Sequence, residues 1–499
     1  MNIAERSPGA VTMLSTGIPG FDSITMGGLP RNRSTLVSGT AGSAKTVFAT
    51  QFLVEGIRKA NQTGVFVTLE ESPADIRSNM LSLGWDIARW EAEGKWAFVD
   101  GTDSFDQEEG VMIGDFDLGG LLARIQAAVT KVGAERLSMD AISTIFPRFG
   151  NQERIRSELL RINNVIKQMG VTAVMTGERT EDYGEIGRYG FEEFVSDNVI
   201  IMRNVLDSEL RRRTLEVLKF RGVPHRRGEF PFVLVNGRGI EVVPLSAIPL
   251  EHESSKLRVK FGNEGLDRML HGGPYRDSIM LISGPSGAGK TMMATEFAAA
   301  GGSMDERCLF LDFEESRTQL FRNAATWGHD LARRESLGLL RIICEYPESA
   351  NIEDRLVRLK DLIAEFQPTR LVIDSLTALG RLASDKTFRD FIIGLTSYVK
   401  QAQITTALTA DSGVFRGTVA MTEKHVSTLT DAIIDLRVVE VGCQMRRGVA
   451  IRKMRGSGHD RHIREFTISD TGLHVGDAFR QEQGHHVGDD ETVSSTGST

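Results

Sequence analysis

Short apolar runs alternate with longer amphipathic stretches along most of this chain. Residues 279–282 and 137–139 are mainly apolar runs of strand length, and a helical stretch stands beside each of them. Residues 292–298 and 121–129 have the helical pattern. Repeated strand–helix units predict an α/β fold, in which a mostly parallel sheet is flanked by helices on both faces. Ligands of such sheets bind at the carboxyl ends of the strands.

The same pattern occurs twice. Residues 17–46 and 262–291 are similar in sequence and stand 245 residues apart. Further blocks match in the same order: FVTLEESPADI with FLDFEESRTQL, RLSMDAIST with RLVIDSLTAL, FVSDNVIIMRN with TLTDAIIDLRV, and LKFRG with RKMRG. A shared order of blocks indicates a tandem duplication. We predict a first domain over 1–247, a second domain over 248–477 and a disordered tail over 478–499.

One stretch of the second copy has the pattern of a phosphate-binding loop. It reads GPSGAGKT over 284–291, and it lies between a predicted strand and a predicted helix, as such a loop requires. Backbone N–H groups of the loop would face phosphate oxygens, the lysine would reach the β- and γ-phosphates, and the threonine hydroxyl would hold Mg²⁺. The predicted ATP-binding residues are Gly287, Ala288, Gly289, Lys290 and Thr291.

The corresponding loop of the first copy departs from this pattern. It reads GTAGSAKT, with Ala44 in the place of the glycine before the lysine. A Cβ at this position resists a positive φ and stands where the backbone approaches phosphate. We predict a site that binds ATP but turns it over poorly, the alternative being a loop that no longer binds. The residues of this predicted site are Gly42, Ser43, Ala44, Lys45 and Thr46.

Acidic residues end the strands that follow each loop. Two pairs, Glu70-Glu71 and Glu314-Glu315, are predicted to activate a water or a hydroxyl for attack on the γ-phosphate, with one carboxylate near Mg²⁺. Asp140 and Asp374 are predicted to lie on the metal side of the site. The alternatives are a solvated helix N-terminus for the pairs and helix capping for the aspartates.

Two basic triplets, Lys219-Phe220-Arg221 and Lys453-Met454-Arg455, place both cations on one face of a strand, because strand side chains alternate. Two such cations suit a triphosphate or the site of a neighbouring subunit. A solvated basic edge strand is the alternative.

The two copies also differ in hydroxyl groups. The second copy has Ser427 and Thr428 four and three residues before Asp431, whereas the first copy has Glu193 and Phe194 at the matching positions. Hydroxyls accept a phosphoryl group, but Glu and Phe side chains do not. The second copy therefore carries two candidate phosphoacceptors, unless this stretch is a helix cap or an ordinary polar segment.

Composition limits the classes of partner. The chain has 499 residues, is 40% hydrophobic and 25% charged, and carries a net charge of −8, which argues against nucleic acid and anionic membranes. Its three cysteines are scattered, as is typical of a reducing cytoplasm. The first residues lack an apolar signal core, and no apolar run reaches membrane length. We therefore expect a cytoplasmic protein without a membrane segment.

Over roughly residues 10–475 the chain resembles the KaiC family of circadian clock proteins, which are double-domain members of the RecA-like ATPase superfamily. The similarity is carried by GFDSITMGGLP, STLVSG, VFVTLEE, EESRTQL, EYPESA, IDSLTAL, HVSTLTD and KMRGSGHD. It implies two tandem RecA-like P-loop domains in a homohexamer of stacked rings, with ATP at the subunit interfaces. It further implies an ATPase in the first domain and an autokinase and autophosphatase in the second.

The resemblance also implies roles for individual residues. Ser427 and Thr428 match the family's autophosphorylation sites, and Thr422 matches a hydroxyl just upstream. Glu70 and Glu314 match its general bases. Implied magnesium contacts are Thr46, Thr291 and Glu314, and Arg381 matches an arginine near the second active site. Residues matched to ATP contacts across the subunit interface are Lys219, Arg221, Arg447, Lys453 and Arg455, and further implied ATP contacts are Ser82, Phe220, His225, Trp327, Met454, Ser457 and His459.

Three departures from the family pattern bear on function. Ala44 weakens the expectation of hydrolysis in the first domain, and Lys424 beside His425 changes the stretch before the phosphoacceptors. The tail is short and unlike the family tail that binds KaiA, which argues against KaiA-type stimulation, whereas a KaiB-like partner on the first domain is implied. We predict an ATP-dependent serine/threonine autokinase of a clock or timer pathway. The alternatives are a RecA-like DNA-dependent ATPase and a nucleotide-gated scaffold without useful turnover.

Overall fold

A computed structural model of the chain contains two compact units, Met1–Ala247 and Ile248–Thr499, here called the first and second domains. The residues that it describes are 11–102, 118–149, 151–185, 196–207, 210–243, 254–301, 306–412, 426, 428–441 and 444–479.

The first domain is built on a nine-stranded sheet. Its strands, together with the short pair β1 and β2, are β1 Met13–Leu14, β2 Leu29–Pro30, β3 Ser34–Gly39, β4 Gly64–Thr68, β5 Trp96–Asp100, β6 Arg136–Asp140, β7 Thr172–Glu178, β8 Asn198–Asp207, β9 Leu210–Phe220, β10 Glu229–Val235 and β11 Gly239–Val242. The strand order is β11-β10-β9-β8-β3-β7-β6-β4-β5. Strands from β5 to β8 run parallel, and the three strands at the other edge are antiparallel.

Helices cover both faces of this sheet. Those described are α1 Phe21–Ile24, α2 Lys45–Ala60, α3 Pro73–Leu81, α4 Ile87–Ala92, α5 Leu118–Val132 and α6 Gln152–Met169, with a 3-10 helix at Ile142–Phe149. Successive residues of β4 show how the two faces are filled. Phe66 packs in the cluster that contains Phe48 and Phe52 of α2, whereas Val65 and Val67 pack in the cluster that contains α5 and α6. Alternation along a strand thus gives one core on each side of the sheet.

The second domain repeats this plan. Its strands are β12 Ile279–Gly284, β13 Cys308–Asp312, β14 Leu340–Cys344, β15 Arg370–Asp374, β16 Thr405–Asp411, β17 Ala432–Val441, β18 Gln444–Met454, β19 Arg464–Ser469 and β20 Gly472–Ala478. The order is β14-β13-β15-β16-β12-β17-β18-β19-β20, parallel from β14 to β17 and antiparallel beyond. The described helices are α7 Glu264–Met269, α8 Lys290–Ala299, α9 Arg317–Thr326, α10 Leu331–Ser336, α11 Ile352–Phe366, α12 Leu376–Gly380 and α13 Asp385–Gln401, with a 3-10 helix at Pro347–Ser349.

The predicted α/β class is confirmed, since each domain has a mostly parallel sheet flanked by helices. The predicted strand at 279–282 lies in β12 and that at 137–139 in β6, and both are fully buried. The predicted helices at 292–298 and 121–129 lie within α8 and α5.

One boundary differs in detail from the sequence analysis. Ala478 pairs with Arg464 at the end of β20, and the Phe479 N–H donates to the Ile463 carbonyl, so these two residues belong to the second sheet rather than to the tail. The rest of the predicted tail lies outside the described residues.

Candidate functional site

The loop of the second domain leads directly from the central strand β12 into α8. Gly287 and Gly289 have φ values of 77° and 102°, and Gly289 immediately precedes the helix. Ala288 is buried in the core beneath the loop. The Lys290 ammonium lies inside the curve of the loop, where it donates to the carbonyls of Gly284 and Pro285 at 3.2 and 3.1 Å. Backbone and lysine thus form the concave cationic cradle expected of a phosphate loop.

The loop of the first domain has nearly the same conformation. Gly42 has a φ of 71°, and Ala44 has φ 70° and ψ 29°, so the alanine takes the left-handed conformation that Gly289 takes in the second domain. The Lys45 ammonium donates to the Thr40 carbonyl at 3.0 Å, and the Ser43 hydroxyl donates to the same carbonyl at 2.7 Å. The loop is therefore formed despite the alanine, which holds an unfavourable backbone geometry for an L-residue.

Each loop threonine faces a buried aspartate at the end of a strand that lies one strand away from the strand before the loop. Asp140 ends β6 and accepts hydrogen bonds from Thr46 and Thr176. Asp374 ends β15 and accepts from Thr291 and Thr409. Burial raises the pKa of Asp140, and it raises that of Asp374 to about 6, although these hydrogen bonds oppose the effect. The peptide bond after each aspartate is cis.

This donor set is suited to a magnesium ion. Asp374 is 1% exposed, and its Oδ2 atom is buried without a hydrogen-bond partner among the described residues. Over the described residues no cluster of three or more His, Cys, Asp or Glu side chains is arranged to hold a metal. One carboxylate and one hydroxyl, completed by phosphate oxygens and water, is the usual coordination of Mg²⁺ in ATPases.

Sequence reasoning missed an acid next to each loop. Glu178 ends β7 in register with Gly39, and Asp411 ends β16 in register with Gly284. Asp411 forms an ion pair with Lys290, with an Nζ–Oδ1 distance of 2.6 Å. In the first domain, burial lowers the pKa of Lys45, and the charge of Glu178 opposes this effect. Each acid ends a strand whose apolar residues are interrupted by threonine or glycine, TAVMTGE and TTALTAD, so the strand-end pattern is weaker here than at Asp140 and Asp374.

The acidic pairs follow β4 and β13 at the carboxyl edge of each sheet. The second acid of each pair accepts a hydrogen bond from an asparagine of the next helix. Asn79 donates to Glu71 and Asn323 donates to Glu315, each at 3.0 Å. The first acid, Glu70 or Glu314, is left at the exposed edge. Each first acid thus lies on the same edge as the loop, the threonine and the buried aspartate.

The surroundings of the two first acids differ. Burial, and then the charges of Glu178 and Asp140, raise the pKa of Glu70. Glu314 instead accepts a short hydrogen bond from the Ser375 hydroxyl. Burial also raises the pKa of the neighbouring Asp312 to about 7.

The basic triplets lie at the opposite side of each sheet, where the parallel strands begin, here called the amino edge. Lys219 donates to the Ser196 carbonyl at 2.8 Å, and Lys453 donates to the Thr430 carbonyl at 2.7 Å, just before β8 and β17 begin. Arg221 and Arg455 immediately follow their strands and approach Asp197 and Asp431 at 3.5 and 3.8 Å. The middle residues, Phe220 and Met454, are buried as predicted from strand alternation. None of the four cations shares the edge that carries its own chain's phosphate loop.

Arg447 differs from these four cations. It is the fourth residue of β18, and its Nε atom lies 3.5 Å from the Gly287 carbonyl of its own loop. Arg213, the fourth residue of β9, lies 3.2 Å from the Gly42 carbonyl in the same way. The resemblance to the family implied that Arg447 contacts ATP across a subunit interface, whereas Arg213 was given no role in the site. Within one chain both arginines cover the outer side of the loop.

The remaining predicted nucleotide contacts lie at the C-terminus of one helix and in the loop after one strand of each domain. Ser82 and Trp327 cap the C-termini of α3 and α9. The ring of His225 packs edge-on against Phe220, and His459 has a buried Nδ1 without a partner. Ser457, in the same loop as His459, accepts a hydrogen bond from Arg258 at 2.5 Å. Arg381, which was matched to an arginine near the second active site, is exposed at the end of α12.

Of the two candidate phosphoacceptors, Thr428 is described and Ser427 is not. Thr428 is exposed, and its carbonyl accepts a hydrogen bond of 2.6 Å from Arg455. It therefore lies at the edge with the basic triplet, away from its own Glu314. Thr422, Lys424, His425, Glu193 and Phe194 lie outside the described residues. None of the helices described is both long and apolar enough to cross a membrane.

Comparisons with known proteins place this geometry in context. A family model described as "ATPase: KaiC" matches residues 14–247 and 259–479. The chain is 51% identical to "Circadian clock protein KaiC3" of Synechocystis sp. over 480 residues, which cover 96% of this chain and 95% of the relative. It is 47% identical to "Circadian clock oscillator protein KaiC" of Thermostichus vulcanus, over 96% and 92% of the two chains. It is 48% identical to the protein of the same name from Synechococcus elongatus, over 94% and 90%.

Proposed function

Because the chain belongs to the KaiC family of circadian clock ATPases, we propose that it is a serine/threonine autokinase and autophosphatase as well as an ATPase. ATP bound with Mg²⁺ in the second domain donates its γ-phosphoryl group to Thr428 and Ser427. ATP in the first domain is hydrolysed. The active assembly is a homohexamer, in which each ATP lies between two subunits.

One observation carries this proposal. Lys290 and Glu314 lie at the carboxyl edge of the second sheet, whereas Thr428 and Arg455 lie at its amino edge. The Asp431 N–H, three residues after Thr428, donates to Ile279 at the start of β12, and the phosphate loop follows the end of that strand. The six residues of β12 span about 20 Å. A base cannot reach an acceptor in its own domain across that distance.

A neighbouring subunit supplies the missing parts. If the amino edge of one second domain faces the carboxyl edge of the next, Thr428 and Arg455 of one copy meet Lys290 and Glu314 of the other. The same arrangement in the first domain brings Arg221 to the neighbouring Lys45. Closed cyclic assemblies are built by such head-to-tail contacts, and an arginine supplied across an interface stabilises the charge of phosphoryl transfer.

The residues have distinct roles in the second domain. Lys290 binds the β- and γ-phosphates, and Thr291 and Asp374 would hold Mg²⁺, which neutralises phosphate charge when it is bound. Glu314 takes the proton of the acceptor hydroxyl as that oxygen bonds to the γ-phosphorus, and the bond to the β-phosphate oxygen breaks. ADP leaves, and the phosphate ester remains on Thr428 or Ser427.

The first domain carries out hydrolysis instead. Glu70 orients and deprotonates a water, Thr46 and Asp140 would hold the metal, and Lys45 binds the phosphates. No hydroxyl stands at the positions that match the acceptors, because the chain has Glu193 and Phe194 there. We further propose that a KaiB-like protein binds the first domain, and that phosphorylation reports to a clock or timer pathway.

Intact-mass measurement after incubation with ATP and Mg²⁺ tests the kinase proposal. Wild-type protein should gain one and then two phosphates, and it should lose them when ATP is removed. The Ser427→Ala/Thr428→Ala protein should gain none. Equal phosphate incorporation by this double variant, or none by the wild type, would contradict the proposal.

A further inference from the structure

The first of two differences between the candidate bases concerns the residue after the buried aspartate. In the second domain this residue is Ser375, which is fully buried and donates its hydroxyl hydrogen bond to the Glu314 carboxylate. In the first domain it is Ala141, which has no hydroxyl. Among the described residues no side chain donates a hydrogen bond to Glu70. The carboxylate of Glu314 is therefore held in one orientation, whereas that of Glu70 is not held in this way.

The second difference concerns the last residue of the strand before each acidic pair. In the second domain it is Asp312, which is fully buried, and its Oδ1 accepts hydrogen bonds from the N–H groups of Glu314 and Glu315, both at 2.8 Å. The first domain has Thr68, which instead donates its hydroxyl to the Glu71 carbonyl. Asp312 thus fixes the backbone that carries Glu314, and Ser375 fixes the carboxylate itself.

We propose that Ser375 and Asp312 are positioning residues that adapt the second domain to a protein hydroxyl as the acceptor. A water can move to meet a mobile carboxylate, but a hydroxyl on a folded segment arrives in one place and from one direction. The base must then be held where that hydroxyl arrives, because transfer depends steeply on alignment. This inference rests on the proposed role of Glu314 as the base in autophosphorylation.

The first domain supplies the substitutions that separate this role from folding. Ser375→Ala and Asp312→Thr introduce the residues that the first domain already has at these positions, in the same fold. Ser375 also caps α12, since the Ala378 N–H donates to its hydroxyl at 3.4 Å. Ser384→Ala is the matched control, because Ser384 caps α13 in the same way and does not contact Glu314.

The measurement is the initial rate of phosphate incorporation, followed by intact mass over a range of ATP concentrations. We expect Ser375→Ala to slow transfer by roughly 10- to 100-fold at saturating ATP, with the half-saturating ATP concentration unchanged. Ser384→Ala should retain the wild-type rate. Transfer by Ser375→Ala at the wild-type rate, or a loss that higher ATP restores, would overturn the role of Ser375.

Asp312 is tested by a pair of variants. Asp312→Asn keeps a carbonyl oxygen at the same distance from the backbone, whereas Asp312→Thr replaces it with a shorter hydroxyl, which in the first domain donates to a carbonyl instead. We expect the asparagine variant to stay within about threefold of wild type and the threonine variant to lose about as much as Ser375→Ala. Equal losses in both variants would show that the two hydrogen bonds are not responsible, and would overturn this part of the inference.

The outcomes also separate this inference from the function on which it rests. If wild-type protein gains no phosphate, the kinase proposal fails and the positioning roles fail with it. If wild type is phosphorylated and Ser375→Ala and Asp312→Thr are phosphorylated equally fast, only the positioning roles fail. Thermal unfolding of each variant, with and without ATP, distinguishes a folding defect from a defect in transfer, and Asp312→Asn tests the site if the threonine variant does not fold.

Discussion

The two domains share one plan at the amino edge of the sheet and differ at the carboxyl edge. At the amino edge, Asp197 pairs with Lys167 at 2.9 Å in the first domain, and Asp431 pairs with Lys400 at 3.0 Å in the second. Each aspartate also faces the arginine of its basic triplet. These ion pairs, on the edge that we propose to face a neighbouring subunit, are therefore present in both copies.

At the carboxyl edge the differences between the copies include three in the phosphate loop and around the second domain's candidate base. The first domain has Ala44 where the second has Gly289 in the loop. It likewise has Ala141 in the place of Ser375 and Thr68 in the place of Asp312. Ala44 and Gly289 lie in the phosphate loops, and Ser375 and Asp312 both hydrogen-bond to Glu314. The two copies thus share the ion pairs of the amino edge and differ in side chains of the phosphate loop and around the second domain's candidate base.

The largest expected effect comes from removing the loop lysine of the second domain. Lys290→Ala should abolish phosphate incorporation, a loss of at least 1000-fold, because the phosphates lose their buried cation. ATP hydrolysis by the first domain should continue, since its own Lys45 is intact. Intact mass and ADP release, measured on the same sample, test both statements. Phosphate on the variant would refute the assignment of the second loop as the kinase site.

The change also leaves the partly buried Asp411 without its ion-pair partner, which is expected to weaken the fold. The double variant Lys290→Ala/Asp411→Asn removes that charge as well. It should fold as the wild type does and should still gain no phosphate.

The next largest effect tests whether the amino edge acts on a neighbour. Arg455→Ala should slow phosphate incorporation by about 1000-fold, as for other arginines that act across an interface. A mixture of Arg455→Ala and Glu314→Gln chains should recover activity, because a base from the first chain then meets an arginine and an acceptor from the second. Phosphate should appear only on the Glu314→Gln chain, which a size tag distinguishes by mass. Phosphate on the Arg455→Ala chain would contradict the arrangement.

Much of the carboxyl edge could be predicted from sequence, because a phosphate loop, or an acid at the end of an apolar run, is recognised from a few neighbouring residues. Lys290, Glu314 and Asp374 were identified in this way, and all of them lie on one edge. Asp411 was missed, although it forms an ion pair with Lys290, because threonines interrupt the apolar residues of its strand and only strand order brings it beside the loop. The contact of Ser375 with Glu314 depends on the same long-range register.

The amino edge could be predicted only in part. Alternation placed Lys453 and Arg455 on one face, and burial of Met454 agrees with that. Periodicity does not tell which end of a sheet a strand end occupies, so the separation of Arg455 from the phosphate loop required the strand order. The same limit applied to Arg447, whose position beside Gly287 follows from the antiparallel pairing of β17 and β18.

A smaller effect is expected from exchanging the loop residues. Ala44→Gly should stabilise the first domain by up to about 1 kcal/mol, since a left-handed alanine costs roughly 1–2 kcal/mol and glycine loses more backbone entropy. It should also raise first-domain hydrolysis several-fold by removing the Cβ near the phosphate path. Hydrolysis is measured in the Lys290→Ala protein, so that only the first domain contributes.

The reciprocal change supplies the control. Gly289→Ala should destabilise the second domain and slow phosphate incorporation, whereas it leaves the first domain's hydrolysis unchanged. If both exchanges leave their domains' rates unchanged, the alanine is a neutral difference between the loops.

The smallest effect concerns the residue five positions after each triplet arginine, which is Arg226 in the first domain and Asp460 in the second. The two residues make the same backbone contact: the Arg226 N–H donates to the Ile24 carbonyl at 2.8 Å, and the Asp460 N–H donates to the Met269 carbonyl at 2.9 Å. Burial opposes ionisation of Asp460, but hydrogen bonds from the His462 N–H and Arg464 outweigh it and lower the pKa of this carboxyl below its usual 3.8.

Since the pKa of Asp460 is lowered in the folded state, its contribution to stability is present above about pH 4 and is lost as the pH falls through the folded-state pKa. Asp460→Asn should lower the apparent melting temperature by about 1–3 °C at pH 7, because the groups are largely solvated. The difference from wild type should shrink at pH 3. Melting curves of both proteins at the two pH values test this, and an equal difference at pH 3 and pH 7 would show that the charge of Asp460 contributes nothing.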